Sequence, residues 1–174
     1  MTLTKHLYLT GFRGTGKSSV ARLLARQLGV TAIDLDEVVE QQAGISISRI
    51  FEEQGESAFR DLESTALANV AKFSPALISL GGGAILRAEN QTCIATTGTC
   101  IWLDADASTI AARLHQDETT PERRPALTTL PALQEIERLL DERRPIYKQT
   151  SQHRIETTDR SIDQVVDDIL ALLP

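Results

Sequence analysis

Residues 11–18 read Gly-Phe-Arg-Gly-Thr-Gly-Lys-Ser, a match to G-x-x-x-x-G-K-[ST], and they stand between a strand-like run at 6–10 and a helix-like run that follows. No other feature of the chain limits its fold so tightly. Glycines at this spacing let successive backbone N–H groups curl around an anion, and the start of the next helix adds the positive end of its dipole. The motif therefore predicts a strand that delivers the turn and a helix that leaves it. Gly14, Thr15, Gly16 and Ser19 are expected to frame the phosphates, Lys17 to reach the β and γ phosphates, and Ser18 to hold Mg²⁺. Such a loop announces a nucleoside triphosphate without saying what is done with it. A guanine-reading N-K-x-D is absent and 174 residues is short for a helicase or an oligomeric motor, so the small-molecule kinases remain.

The rest of the chain repeats the opening pattern. Short β-rich runs at 6–10, 31–34, 76–80, 99–104 and 153–157 alternate with longer amphipathic segments, which predicts an α/β fold with a parallel sheet covered on both faces. Val20, Leu23, Leu24 and Leu28 lie at helical spacing and Gly29 supplies a C-cap. Ser46 is expected to cap a helix through Gln54, Gly55 to break it, and a longer helix to run toward Phe73; this insertion, about 36–73, is a candidate substrate-binding region. After a helix at 107–116, residues 117–131 carry Pro121, Pro125 and Pro131 among threonines and read as a loop suited to a lid. A helix from about Ala132 has Leu133, Ile136, Leu139 and Leu140 as its expected buried stripe, with Pro145 expected to end or kink it. A last helix follows at 161–173. With no repeat or linker, residues 1–174 read as one domain.

Composition excludes several function classes. A hydrophobic fraction of 41% and a charged fraction of 24% are ordinary for a globular protein, and no apolar run approaches the roughly 20 residues of a membrane span. The N-terminus does not read as a signal peptide. Cys93 and Cys100 have none of the spacings of a zinc or dithiol site and are expected to be free thiols in a reducing cytoplasm. A net charge of −6 argues against a nucleic-acid surface, so any anion must be caught locally. A monomer is expected.

Two further segments carry chemistry. Asp34-Leu35-Asp36 closes the second strand; alternation would aim Asp34 and Asp36 the same way, one toward the Mg²⁺ shell and the other toward an acceptor hydroxyl, unless Asp36 simply caps the next helix. The third strand lacks the usual terminal aspartate and runs from Ser79-Leu80 into Gly81-Gly82-Gly83, a turn able to present bare backbone N–H groups to a ligand or merely a tight turn.

Together, GFRGTGKSS, DLD, GESAFRDLE, SLGGG, the RRP at 123–125 and the RRPIY at 143–147 resemble the shikimate kinase family, in family order from Gly11 to Tyr147. The resemblance implies a three-layer P-loop fold with strand order 2-3-1-4-5, ATP as phosphoryl donor with Mg²⁺, and the 3-hydroxyl of shikimate as acceptor. It implies that Lys17 meets the phosphates, that Ser18 and Asp34 serve the metal, and that Asp36 grips the reacting hydroxyl. It further implies that Arg60 and Arg143 hold the acceptor carboxylate with Gly82 and Gly83, that Arg124 closes with the lid, and that Arg113 and Arg160 lie on the adenine side. Leu35, a long lid and the extra Arg144 depart from the common pattern and leave open which of Arg143 and Arg144 faces inward. Taken alone, Arg60, Arg124, Arg143 and Arg144 also fit solvated helix charges, with Glu137 and Asp141 as partners for the later pair. Two rival functions are a kinase for another polyol acid such as gluconate and a nucleotide-binding module without turnover.

Overall fold

In the computed structural model, residues 3–116 and 132–173 are described. The five strands are β1 (His6–Thr10), β2 (Ala32–Asp34), β3 (Leu77–Ser79), β4 (Gly98–Asp104) and β5 (His153–Glu156). All pair in parallel, in the order β2-β3-β1-β4-β5. The chain leaves β1 for β2, returns to place β3 between them, then crosses to β4 on the other side. That reversal opens a crevice at the carboxyl end of β1, where ligands of such sheets bind.

Alternation along β1 divides the core. Leu7 and Leu9 face a cluster with Val20, Leu24 and Leu28 of α1 (Lys17–Leu28) and with Val166 and Ile169 of the last helix, α7 (Ile162–Leu172). Tyr8 faces the opposite cluster, built with α2 (Leu35–Ala43), α3 (Ile47–Val70), α4 (Ala88–Thr97) and α6 (Ala132–Thr150). A third cluster joins Phe12 to α5 (Ala107–Gln116) and α6 at the carboxyl end of the sheet. Cys93 and Cys100 are free, and burial pushes the Cys100 thiol up to about 12 against an opposing hydrogen bond from Ser151.

Several local expectations are met. Ser46 caps α3 through the Arg49 N–H, and Gly55, at φ 83°, interrupts it; at that angle a side chain would be strained. Ser161 caps α7 in a reciprocal box with Gln164. Three details differ. β2 stops at Asp34 and α2 begins at Leu35, so strand alternation does not orient Asp36; the capping residue is Asp34. Leu133 is 43% exposed at the first turn of α6, and the buried stripe starts with Ile136. Pro145 does not end α6, which runs on to Thr150. Packing outweighs the lost backbone bond there: two residues on, Tyr147 stacks on Trp102 at 5.7 Å and donates to the Gly82 carbonyl. Among the described residues, no helix is long and apolar enough to cross a membrane.

Candidate active site

The glycine-rich turn joins β1 to α1 with Gly11, Gly14 and Gly16 all at positive φ. Its centre is the Phe12 carbonyl, which accepts from the Thr15 hydroxyl and from Lys17 Nζ, each at 2.8 Å. Helix α1 starts at Lys17, and its Val20 N–H bonds to the Gly16 carbonyl at 2.9 Å. The N–H groups of the preceding residues lack intrahelical partners by the geometry of any helix start, which fits them to phosphate oxygens.

Beside this turn stands a group of oxygens. Ser18 Oγ donates to Asp34 Oδ2 at 2.6 Å and lies 3.4 Å from Ser79 Oγ. The other Asp34 oxygen accepts the Asp36 N–H at 3.1 Å, so one carboxylate both caps α2 and orders Ser18. These are hard oxygen donors, a hydroxyl and a carboxylate with a second hydroxyl near, and they fit Mg²⁺ completed by phosphate and water. Ser79 was visible in the sequence only as the missing aspartate. Asp36 is half-buried in the first turn of α2.

The turn after β3 packs on the phosphate loop: a Cβ at Gly82 would lie 3.3 Å from the Arg13 N atom. Two guanidinium groups from different helices meet it. Arg143 of α6 lies 5.6 Å over the Phe12 ring and donates to the Gly82 carbonyl at 3.5 Å. Arg60 of α3 crowds Gly83 so closely that a Cβ there would sit 2.5 Å from one of its nitrogens. Arg60 is only 11% exposed and pairs with Glu63 at 2.7 Å and Glu56 at 3.1 Å, both on its own helix. Burial lowers its affinity for a proton, but the fully buried Glu63 and its neighbour Glu56 outweigh that and hold Arg60 above the usual value. Intrahelical pairing is therefore real for Arg60, while solvation is not. For the later pair neither Glu137 nor Asp141 is the partner: Arg143 goes to the glycine turn, and Arg144 goes to Asp104 and the Ala105 carbonyl. Glu63 stands in GESAFRDLE three residues after Arg60, and that spacing was the signal for it.

On the other side of the phosphate loop a cleft of about 370 Å³ is lined by Gly14, Thr15, Gly16 and Ser19, with Leu114 and Ile162 among its apolar walls. Arg113 crosses its edge, donating to the Gly14 carbonyl at 3.4 Å and the Thr157 carbonyl at 2.6 Å. Arg160 also lines the cleft, but its guanidinium is tied to Asp168 at 2.5 Å. Arg124 lies outside the described residues, as does the whole of the lid expected at 117–131.

Phosphate loop, oxygen group, glycine turn and paired arginines form a continuous set, and the family profile described as shikimate kinase matches residues 13–174. The chain belongs to the shikimate kinase family. A shikimate kinase of Rhodopirellula baltica is 44% identical over 170 residues, covering 98% of this chain and 91% of that protein. The structure of a shikimate kinase from Acinetobacter baumannii in complex with shikimate superposes with a TM-score of 0.90 at 31% identity, over 97% of this chain and 92% of that one. A gluconokinase from Sinorhizobium meliloti shares the fold alone, at a TM-score of 0.62 and 16% identity over 98% of this chain and 92% of that one.

Proposed function

We propose that this chain transfers the γ-phosphate of ATP to the 3-hydroxyl of shikimate, giving shikimate 3-phosphate and ADP. One observation carries the acceptor half of this reading: Arg60 and Arg143, from separate helices, converge on the Gly82–Gly83 turn beside the phosphate loop. Two planar guanidinium groups suit a carboxylate, which they can meet with paired hydrogen bonds. Bound by its carboxylate there, the acceptor would present a hydroxyl toward Asp36, which orients it and takes up its proton as transfer proceeds. Lys17 and the N–H groups at the start of α1 would meet charge developing on the transferred phosphoryl group. Ser18 and Asp34 would hold Mg²⁺, which neutralises charge between the β and γ phosphates. Catalysis on this account is positioning and charge neutralisation, without a covalent intermediate. Arg113 and Arg160 border the adenine side with Leu114 and Ile162, and Arg124 is assigned to the lid by its RRP context. The reading takes the enzyme as a monomer and places it in the cytoplasm.

The acceptor assignment is tested with shikimate and an analogue whose carboxylate is a neutral amide. Arg60→Ala would leave Glu63 buried without its cation, at a cost of about 3–5 kcal/mol, so Arg60→Lys is the cleaner variant. Arg60→Lys and Arg143→Met are each expected to lower kcat/KM for shikimate about ten- to a hundredfold, chiefly through KM, since a charged hydrogen bond is worth about 1.5–3 kcal/mol. Arg143→Met should also discriminate far less than the parent between acid and amide, and Arg60→Lys, which keeps the charge but loses the two-point fit, should discriminate less to a smaller degree. A wild-type preference for the acid in both would contradict the assignment. The Gly83→Ala variant offers an independent check, because the three heavy atoms nearest its Cβ would all belong to the Arg60 guanidinium, which must shift. Displacing Arg60 strains its pair with Glu63, so Tm should fall, with KM for shikimate raised about tenfold and KM for ATP unchanged in the folded enzyme; an unchanged shikimate KM would place Arg60 away from the acceptor.

A further inference from the structure

Arg144 is the residue that the family pattern leaves unexplained, and it has a specific place. Neighbouring residues on a helix point about 100° apart, so Arg143 and Arg144 leave α6 in different directions. While Arg143 reaches over Phe12 to the glycine turn, Arg144 Nη2 donates to the Ala105 carbonyl at 3.2 Å and to Asp104 Oδ1 at 3.5 Å. Asp104 is a firm anchor. It is 1% exposed, its Oδ1 accepts the Ala105 N–H at 3.0 Å, its Oδ2 accepts from Arg154 at 2.8 Å, and its carbonyl accepts the Thr157 N–H at 2.7 Å. The same strand end touches the phosphate loop, for a Cβ at Gly11 would lie 2.2 Å from the Leu103 carbonyl oxygen. Pro145 follows directly and has no N–H to give to the turn before it, so α6 is weakest in its own backbone bonding where it presents Arg143.

We infer that Arg144 is a positioning residue for the acceptor site: its clasp on Asp104 and Ala105 fixes the Pro145 turn of α6 against the end of β4 and so sets the reach of Arg143 over the glycine turn. This rests on the reading of Arg143 as a carboxylate-binding arginine. Arg154 provides an internal control. It shares the Asp104 carboxylate but comes from β5, has no place on α6, and stacks on Trp102 at 5.0 Å. Loss of either arginine weakens the same ion cluster, whereas Arg144 bonds it directly from the helix that carries Arg143 and Arg154 reaches that helix only through Trp102, which stacks on Tyr147.

The experiment compares Arg144→Met, Arg143→Met, the double variant and Arg154→Gln for kcat, for KM of shikimate and of ATP, and for thermal stability. Arg144→Met should raise KM for shikimate about fivefold, with kcat and KM for ATP kept, and should add nothing further in the Arg143→Met background. Arg154→Gln should lower Tm and leave KM for shikimate alone. A normal shikimate KM in Arg144→Met overturns the inference, as does an equal rise in Arg154→Gln or a full additional rise in the double variant. If Arg143→Met itself keeps a normal KM, the carboxylate reading of Arg143 has failed and the inference falls with it. Should Arg144→Met not fold, Asp104→Asn removes the charge of the clasp from the strand side; the same selective rise in KM supports the inference and an unchanged KM overturns it.

Discussion

Replacement of Lys17 by alanine should lower kcat for phosphoryl transfer about 10²- to 10³-fold while the protein stays folded, the usual loss when a preorganised charge-stabilising donor is removed. The side chain is 8% exposed, and its ammonium donates to the Phe12 carbonyl in the middle of the loop. Thr15 donates to that same carbonyl through its hydroxyl, so the loop does not depend on the lysine for its shape. The loss of its hydrogen bond to the Phe12 carbonyl should by itself cost about 1 kcal/mol of stability. The check is a thermal melt beside steady-state kinetics. A folded Lys17→Ala enzyme with near-parental kcat would remove the loop from the chemistry.

Asp36→Asn should lower kcat about 10²- to 10⁴-fold and leave ATP affinity nearly unchanged, since a positioned general base contributes on that scale. The substitution is mild for the fold because Asp34, not Asp36, caps α2. Asparagine keeps the shape and loses the charge that accepts a proton. Direct ATP titration and saturated turnover separate the outcomes. A selective loss of ATP affinity at normal kcat would move Asp36 to the metal or nucleotide side.

What the sequence displayed and what it hid divide along the range of the interactions. The strand pattern, the phosphate loop, the Ser46 cap and the break at Gly55 are local, and each is legible because a few neighbouring residues determine it. Asp34 and Asp36 were found as a pair but for a reason that fails, since the capping power of Asp34 turns the chain into a helix before alternation can operate. The roles of Arg143 and Arg144 could not be told apart from spacing. The distinction comes from Gly82 and Asp104, 61 and 40 residues distant, which a helical pattern cannot contain. Ser79 joins Ser18 across 61 residues for the same reason. Of the two outcomes expected at Pro145, an end or a kink, the end does not occur, because Tyr147 packed on Trp102 holds the helix to Thr150. Glu63 is the intermediate case: its spacing from Arg60 was readable, but its complete burial was not.

ADP release in a coupled assay, with Mg²⁺ and ATP and with shikimate, gluconate, nucleoside monophosphates or no acceptor supplied in turn, tests the central claim most directly. The arrangement of Arg60, Arg143 and the glycine turn beside Lys17 predicts turnover with shikimate at least about a hundredfold above every other condition, because gluconate has a carboxylate too but its open chain is not held in one pose that sets a hydroxyl at Asp36, as a rigid ring gripped by both arginines is. Equal release with gluconate, or with no acceptor at all, would contradict it.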